Sequence, residues 1–235
     1  MNNPKDLTMI IEFKNGVPTF FEQAPTICLR DPLAAFLGAA EGGLMTYSYQ
    51  DAVKLAGHSC PTVAGSFIAV IRGLKALYGN DIPERGNIEV LMTKGREEGT
   101  TGVVASIATL LTGATTEVGF AGIGVAKRFS RRNLLSFNNE SDATFILKRK
   151  DNQSAVKLTL NLDEVAPWSD EIRELLPRAF NNQLKADMFK NIDYIKSNNL
   201  ETFYIDKIKE NNDGIVSVWG SVASMESLAG VWING

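Results

Sequence analysis

The apolar positions along this chain change period several times, and each change marks an element. Thr8 to Phe13 is a short apolar run that ends at Lys14-Asn15-Gly16, and a second run starts at Val17. An Asn-Gly step suits the positive φ angles of a tight hairpin turn, so Val17 to Phe21 is expected as the return strand. The run Thr26 to Arg30 leads into Asp31-Pro32, an N-cap and first-turn proline that predict a helix over Leu33 to Ala40, closed by Gly42-Gly43. Ser48, with Asp51 three residues later, opens a second helix that runs through Val53 and Leu55 to Gly57. After Gly57-His58-Ser59-Cys60-Pro61, residues Val63, Phe67, Val70, Ile71, Leu74 and Leu77 recur at helical spacing as far as Gly79. Ile88 to Met92 predicts a buried strand. Thr101 to Leu111, rich in small residues and apolar on most faces, predicts a helix packed closely inside the domain. Leu134 to Phe137, Thr144 to Lys150 and Ala155 to Leu162 predict strands, the last two joined by a turn at Asp151-Asn152.

Beyond Pro167 the character changes. Glu171 to Lys190 and Tyr194 to Lys209 are amphipathic and charged, Asn211 to Gly214 reads as a turn and Ile215 to Trp219 as a strand. The expected organisation is an α+β domain over residues 1–165, a mixed sheet packed with helices, and a mostly helical C-terminal extension over 166–235 packed on it.

Composition narrows the function classes. Apolar residues make up 44% of the 235 and charged residues 22%, the balance of a globular chain with a buried core. The net charge of -3 provides no overall basic field for nucleic acid or anionic lipid, so neither is expected as a partner. A local basic run, Lys127, Arg128, Arg131 and Arg132, reads as a solvated loop, with phosphate binding as the alternative. No apolar run reaches the ~18–20 residues that span a membrane. The N-terminal apolar stretch, Met9 to Ile11, is too short for the core of a secretory signal, so a cytoplasmic location is expected. In a reducing compartment the two cysteines, Cys28 and Cys60, are better weighed as thiols or ligands than as a disulfide.

The chemistry concentrates in the His-Ser-Cys-Pro segment. Pro61 at the start of a helix puts Cys60 at or beside the N-cap, where unpaired N–H groups and the helix dipole stabilise an anion. The thiolate is the form of cysteine that binds metal or attacks an electrophile. His58, two residues earlier in extended backbone, can face the same side, and imidazole with thiolate suits zinc, nickel or iron. The plainer alternative is a buried cysteine beside a surface histidine. Zinc sites want three or four ligands, and Cys28 is the only other thiol. Glu97 and Glu98, in the polar stretch Gly95 to Gly99, are either further ligands or an exposed charged turn. Gly119-Phe-Ala-Gly122-Ile-Gly124 lacks the spacing of a dinucleotide fingerprint and reads as a turn or a close backbone approach, with phosphate binding as the alternative. No serine nucleophile elbow is present, and with one histidine a serine triad would have to use His58, with which nothing places a serine and a carboxylate.

The stretch Asp51 to Pro61, DAVKLAGHSCP, and the helix after it resemble the signature of the FmdE-like family, which takes its name from a component of formylmethanofuran dehydrogenase. A second region of that family, a helix ending in Thr-Gly-x-Thr, is similar to Gly102 through Thr112-Gly113-Ala114-Thr115. The resemblance spans roughly residues 28 to 160. It implies an α+β fold of the FwdE/GAPDH-domain-like kind, His58 and Cys60 as ligands of a metal (zinc, with nickel or iron as alternatives), and a tendency to form homodimers; a small-molecule substrate is the further partner considered. From the residues alone, Cys28 is the candidate third ligand, the alternative being a small apolar residue that ends a strand. Where family members often carry a cysteine, an aspartate and another cysteine in the second region, this chain has Val103, Ser106 and Ala114, and it has no four-cysteine zinc ribbon. Three functions are therefore expected to compete: a metalloprotein with an open His/Cys site, a metal-independent enzyme using the Cys60 thiolate, and an accessory protein holding a structural metal.

Overall fold

The computed structural model describes residues 13–15, 17–18, 21–22, 24–161 and 232–234. The predicted helices over 171–190 and 194–209 and the strand over 215–219 lie outside the described residues. β1 (Phe13–Lys14) pairs antiparallel with β2 (Val17–Pro18), and Asn15, just after β1, takes the left-handed conformation, φ 54°, that a tight hairpin turn uses. β3 (Ile27–Arg30) pairs antiparallel with β4 (Leu44–Tyr47), from Ile27 opposite Tyr47 to Arg30 opposite Leu44. Between them lies α1 (Pro32–Leu37), shorter than predicted, because Gly38 takes a left-handed conformation and ends it before the Gly42-Gly43 pair.

α2 (Tyr49–Ala56) starts where Ser48 and Asp51 place it, the Asp51 carboxylate accepting from the Ser48 backbone N–H at 2.8 Å and its hydroxyl at 2.9 Å. α3 (Pro61–Tyr78) and α4 (Thr101–Thr112) cross the middle of the molecule. A five-stranded mixed sheet carries the rest of the core. It comprises β5 (Ile88–Met92), β6 (Leu135–Ser136), β7 (Phe145–Arg149), β8 (Ala155–Thr159) and β9 (Trp232–Asn234), in the order β6-β5-β7-β8-β9. Only the β5–β6 pair is parallel. The architecture is α+β, a mixed sheet packed with helices.

Sequence periodicity gives α3 a single apolar stripe, but 13 of its 18 residues are buried. It is a central helix, enclosed by α2 and α4 on one side and by β7 and β8 on the other. Its approach to the sheet depends on two glycines. A Cβ on Gly65 would come within 2.6 Å of Leu160 Cδ1, and one on Gly73 within 2.7 Å of Leu158 and 2.8 Å of Leu147. The alternating strands supply the other wall, with Ile88, Val90, Met92, Phe145, Leu147 and Leu158 all at 0% exposure. Among the described residues no helix is long and apolar enough to cross a membrane.

Candidate metal site and a buried charge network

Gly57 ends α2 in a left-handed conformation, and three residues later Cys60 opens α3 with an extended backbone, φ -155° and ψ 168°. Cys60 is the N-cap. Its Sγ accepts from the Val63 N–H at 3.5 Å, so the sulfur lies over the unpaired end of the helix, as Pro61 predicts. Ser59 turns inward and shares a 2.6 Å hydrogen bond with the hydroxyl of Tyr49, the first residue of α2. That phenol is fully buried, edge-on to Phe21 at 5.1 Å and tilted against Phe67 at 5.8 Å. Burial pushes its pKa far above the ordinary tyrosine value, which keeps it a neutral partner for Ser59. The inward anchor on Ser59 fixes the loop and leaves His58 exposed and Cys60 half-buried on either side of it.

The His58 ring is itself oriented. Nδ1 lies 3.0 Å from the Ala56 carbonyl oxygen, which only accepts, so Nδ1 carries the proton. In the neutral ring, Nε2 then presents its lone pair. A ligating histidine is usually held this way by a carbonyl on its other nitrogen. The donor set therefore fits half of a zinc shell: one imidazole nitrogen and one sulfur.

The other expected ligands are placed elsewhere. Cys28 sits on the exposed face of β3, opposite Thr46. Among the described residues no three of His, Cys, Asp and Glu gather into a metal-holding group, so Cys28 does not complete one with His58 and Cys60. Glu98 pairs with Lys94 at 3.6 Å and accepts from the Gly95 N–H, and Glu97 is exposed beside it. In the second region of the resemblance, Ala114 is buried, Val103 half-buried, and Ser106 bonds the Gly102 carbonyl at 2.9 Å.

A second polar centre has no counterpart among the sequence-based expectations. Asp31, 4% exposed, caps α1 by accepting from Leu33 and Ala34, and it also meets two guanidinium groups. Arg85 Nη1 and Arg131 Nη2 each lie 2.6 Å from one of its carboxylate oxygens. Arg85 is fully engaged, since Nε and Nη2 donate to the carbonyls of Leu111 and Leu110 at 3.1 and 3.0 Å, the negative end of α4. Arg85 reaches this position because the chain after α3 runs beside β3, with the Arg85 N–H donating to the Arg30 carbonyl at 2.8 Å. Arg131 corrects the expectation of a solvated basic loop: Lys127, Arg128 and Arg132 are exposed, but Arg131 is 6% exposed. Burial lowers its pKa and the Asp31 carboxylate works against that shift.

The signal for this centre in the sequence is weak. Asp31-Pro32 is fully explained as a helix start, and nothing local says that residues 54 and 100 positions away share its carboxylate. The glycine-rich stretch is the turn that its sequence suggests: Ile123 and Arg128 exchange backbone hydrogen bonds of 2.9 and 3.0 Å across it. No family model matches the chain, and no curated protein is significantly similar to it.

Proposed function

We propose that this is a metal-binding protein, with His58 and Cys60 as ligands of a zinc ion at the N-terminus of α3. The observation that carries the reading is that each of the two donors, two residues apart, is held by the backbone beside it. The Ala56 carbonyl holds the His58 ring with Nε2 free, while Sγ of Cys60 is held over the helix end. No hydrogen bond joins the imidazole to the thiol among the described residues, so the geometry favours two ligands over a His–Cys nucleophilic pair. The resemblance to the FmdE-like family points the same way. Two ligands from one chain leave a zinc shell open, and a second copy of the chain is the proposed source of the rest, with the exposed Cys28 thiol on β3 among the donors. When bound, such an ion supplies Lewis-acid chemistry to a small-molecule substrate at any position left open.

Elemental analysis of protein purified without chelators tests this. Near-stoichiometric zinc is expected in the natural chain, with at least a tenfold loss in both His58→Ala and Cys60→Ser. Equal zinc content in all three proteins would sink the proposal. Sedimentation of the zinc-loaded and chelated protein then shows whether a second copy shares the site.

A further inference from the structure

Between α1, the segment after α3 and the hairpin that follows the glycine-rich turn lies a cavity of about 300 Å³, within the range of small-molecule sites. Pro32, Phe129, Glu84 and Asn87 line it together with Arg85, Lys127, Ser130, Arg131 and Lys150, and Gly86 forms part of the wall. We propose that this cavity binds a phosphomonoester of small-molecule size, independently of the metal site.

Charge comes first. Four cationic side chains, Arg85, Arg131, Lys127 and Lys150, face two carboxylates, Glu84 on the wall and Asp31 behind it, a surplus of 4 − 2 = 2 positive charges. Asp31 and the α4 carbonyls engage every nitrogen of Arg85. Arg131 is different. Its Nη2 pairs with Asp31, but its buried Nη1 has no hydrogen-bond partner. A buried charged donor without an acceptor is costly, and such groups need an explanation. Nη1 is sealed between the Gly86 and Gly113 backbones, so what Arg131 offers an anion in the cavity is its positive charge, which Asp31 only partly offsets. Gly86 is what gives the guanidinium its place, since a Cβ there would fall 2.0 Å from Nη1.

Local backbone supports the same reading. Lys127 and Phe129 both hold left-handed conformations, φ 47° and 63°, which side-chain-bearing residues rarely adopt. The turn before them imposes this. Gly122 approaches the Lys127 carbonyl so closely that a Cβ would come within 2.3 Å of its oxygen. Backbone strain of this kind collects at binding sites, and here it brings Lys127 and Phe129 to the cavity wall. The Lys127 ammonium has no hydrogen-bond or ion-pair partner among the described residues, and that of Lys150 reaches only the Gly86 carbonyl at 3.5 Å. Two ammonium groups on a wall backed by two guanidinium groups suit the double charge of a phosphomonoester better than the single charge of a carboxylate. Phe129 and Pro32 offer an apolar wall to the body of the ligand, and Glu84 and Asn87 offer acceptors to its hydroxyl groups.

The test is titration calorimetry at fixed ionic strength with inorganic phosphate, ribose 5-phosphate and ribose, on the natural chain and on Lys127→Ala/Lys150→Ala. Both lysines are exposed, so the double variant should fold, which circular dichroism verifies. Saturable binding of ribose 5-phosphate is expected, at least fivefold tighter than inorganic phosphate, absent for ribose, and weakened at least tenfold in the double variant. His58→Ala should bind it unchanged. No saturable binding of either phosphate compound, or binding that the double variant retains, overturns the proposal. So does co-sedimentation with phosphatidic acid vesicles without binding of the free phosphomonoester, which would assign the basic surface to a lipid headgroup.

Discussion

The mouth of α3 and the Asp31 network are both built around a helix N-cap, yet they are opposite kinds of structure. At α3 the cap is Cys60, half-buried, with its neighbour His58 exposed, and the hydrogen bonds that orient the His58 ring and the Cys60 sulfur come from within three residues. At α1 the cap is Asp31, buried, and its strongest partners come from 54 and 100 residues away. The first arrangement leaves donor atoms open to a ligand and adds little to the fold. The second ties three distant segments together and contributes mainly to stability. A helix cap thus carries function or stability according to what lies beyond its first turn.

The sharpest way to break this comparison is Asp31→Ala. It uncaps α1 and leaves the buried Arg131 guanidinium facing the half-buried one of Arg85 with no carboxylate between them, so a loss of about 3–5 kcal/mol is expected in chemical denaturation. The variant should still retain zinc if it folds at low temperature; loss of metal without loss of stability would reverse the roles assigned to the two centres. Gly86→Ala comes next. A side chain at φ 82° that also meets Arg131 Nη1 should cost about 1–3 kcal/mol, read from the same denaturation midpoint. Cys60→Ser inverts the pattern. Serine still caps a helix, so with chelator present in both proteins stability should change by less than about 1 kcal/mol, while the zinc content of the unchelated variant collapses. A large stability loss there would mean that the cysteine is a packing residue.

The smallest effect belongs to an exposed pair that serves as a control for the buried one. Arg149 holds Asp151 through two hydrogen bonds of 3.0 and 2.5 Å, and this pulls the Asp151 carboxyl down to about 2. A carboxyl depressed on folding contributes stability above its unfolded pKa of about 3.9, and that contribution fades as pH falls through the folded value. Asp151→Asn should therefore be slightly less stable than the natural chain at neutral pH. The difference should shrink as the pH falls from about 4 to about 2. Denaturation curves across that range check it, and a gap that widens toward low pH would contradict the assignment.

The contrast also explains what can be read from the sequence. Capping and turn chemistry are local, so Asn15-Gly16, Asp31-Pro32, Ser48 with Asp51, and Cys60-Pro61 each place an element end within a few residues. The end of α1 is displaced because Gly38 offers the same stop signal as Gly42-Gly43 and comes first. Two strands end short of their expected bounds, at Pro18 rather than Phe21 and at Thr159 rather than Leu162. Central burial of α3 is hidden because Gly65, Ala64 and Gly73 look like poor packing residues unless one knows what lies across from them. Arg131 escapes notice for a related reason. A run of four basic residues looks solvated, and only the tertiary fold shows that one of them turns inward to a carboxylate. His58 and Cys60 stand out because two chemically distinctive side chains lie just ahead of a proline.

The glycine seam on α3 also sets a timetable for synthesis. Gly73 is made 158 − 73 = 85 residues before Leu158, one of the side chains that closes over it. At about 5–20 residues per second, the sheet-facing side of α3 waits roughly 4–17 s for its cover. During that interval the nascent chain shows a largely apolar helix face, a surface suited to a chaperone that recognises hydrophobic segments. Ribosome-stalled chains that end before β7 should be cut within α3 by added protease, and chains with Leu160 clear of the ribosome should be protected. Equal cleavage of the two would show that α3 finds other cover first.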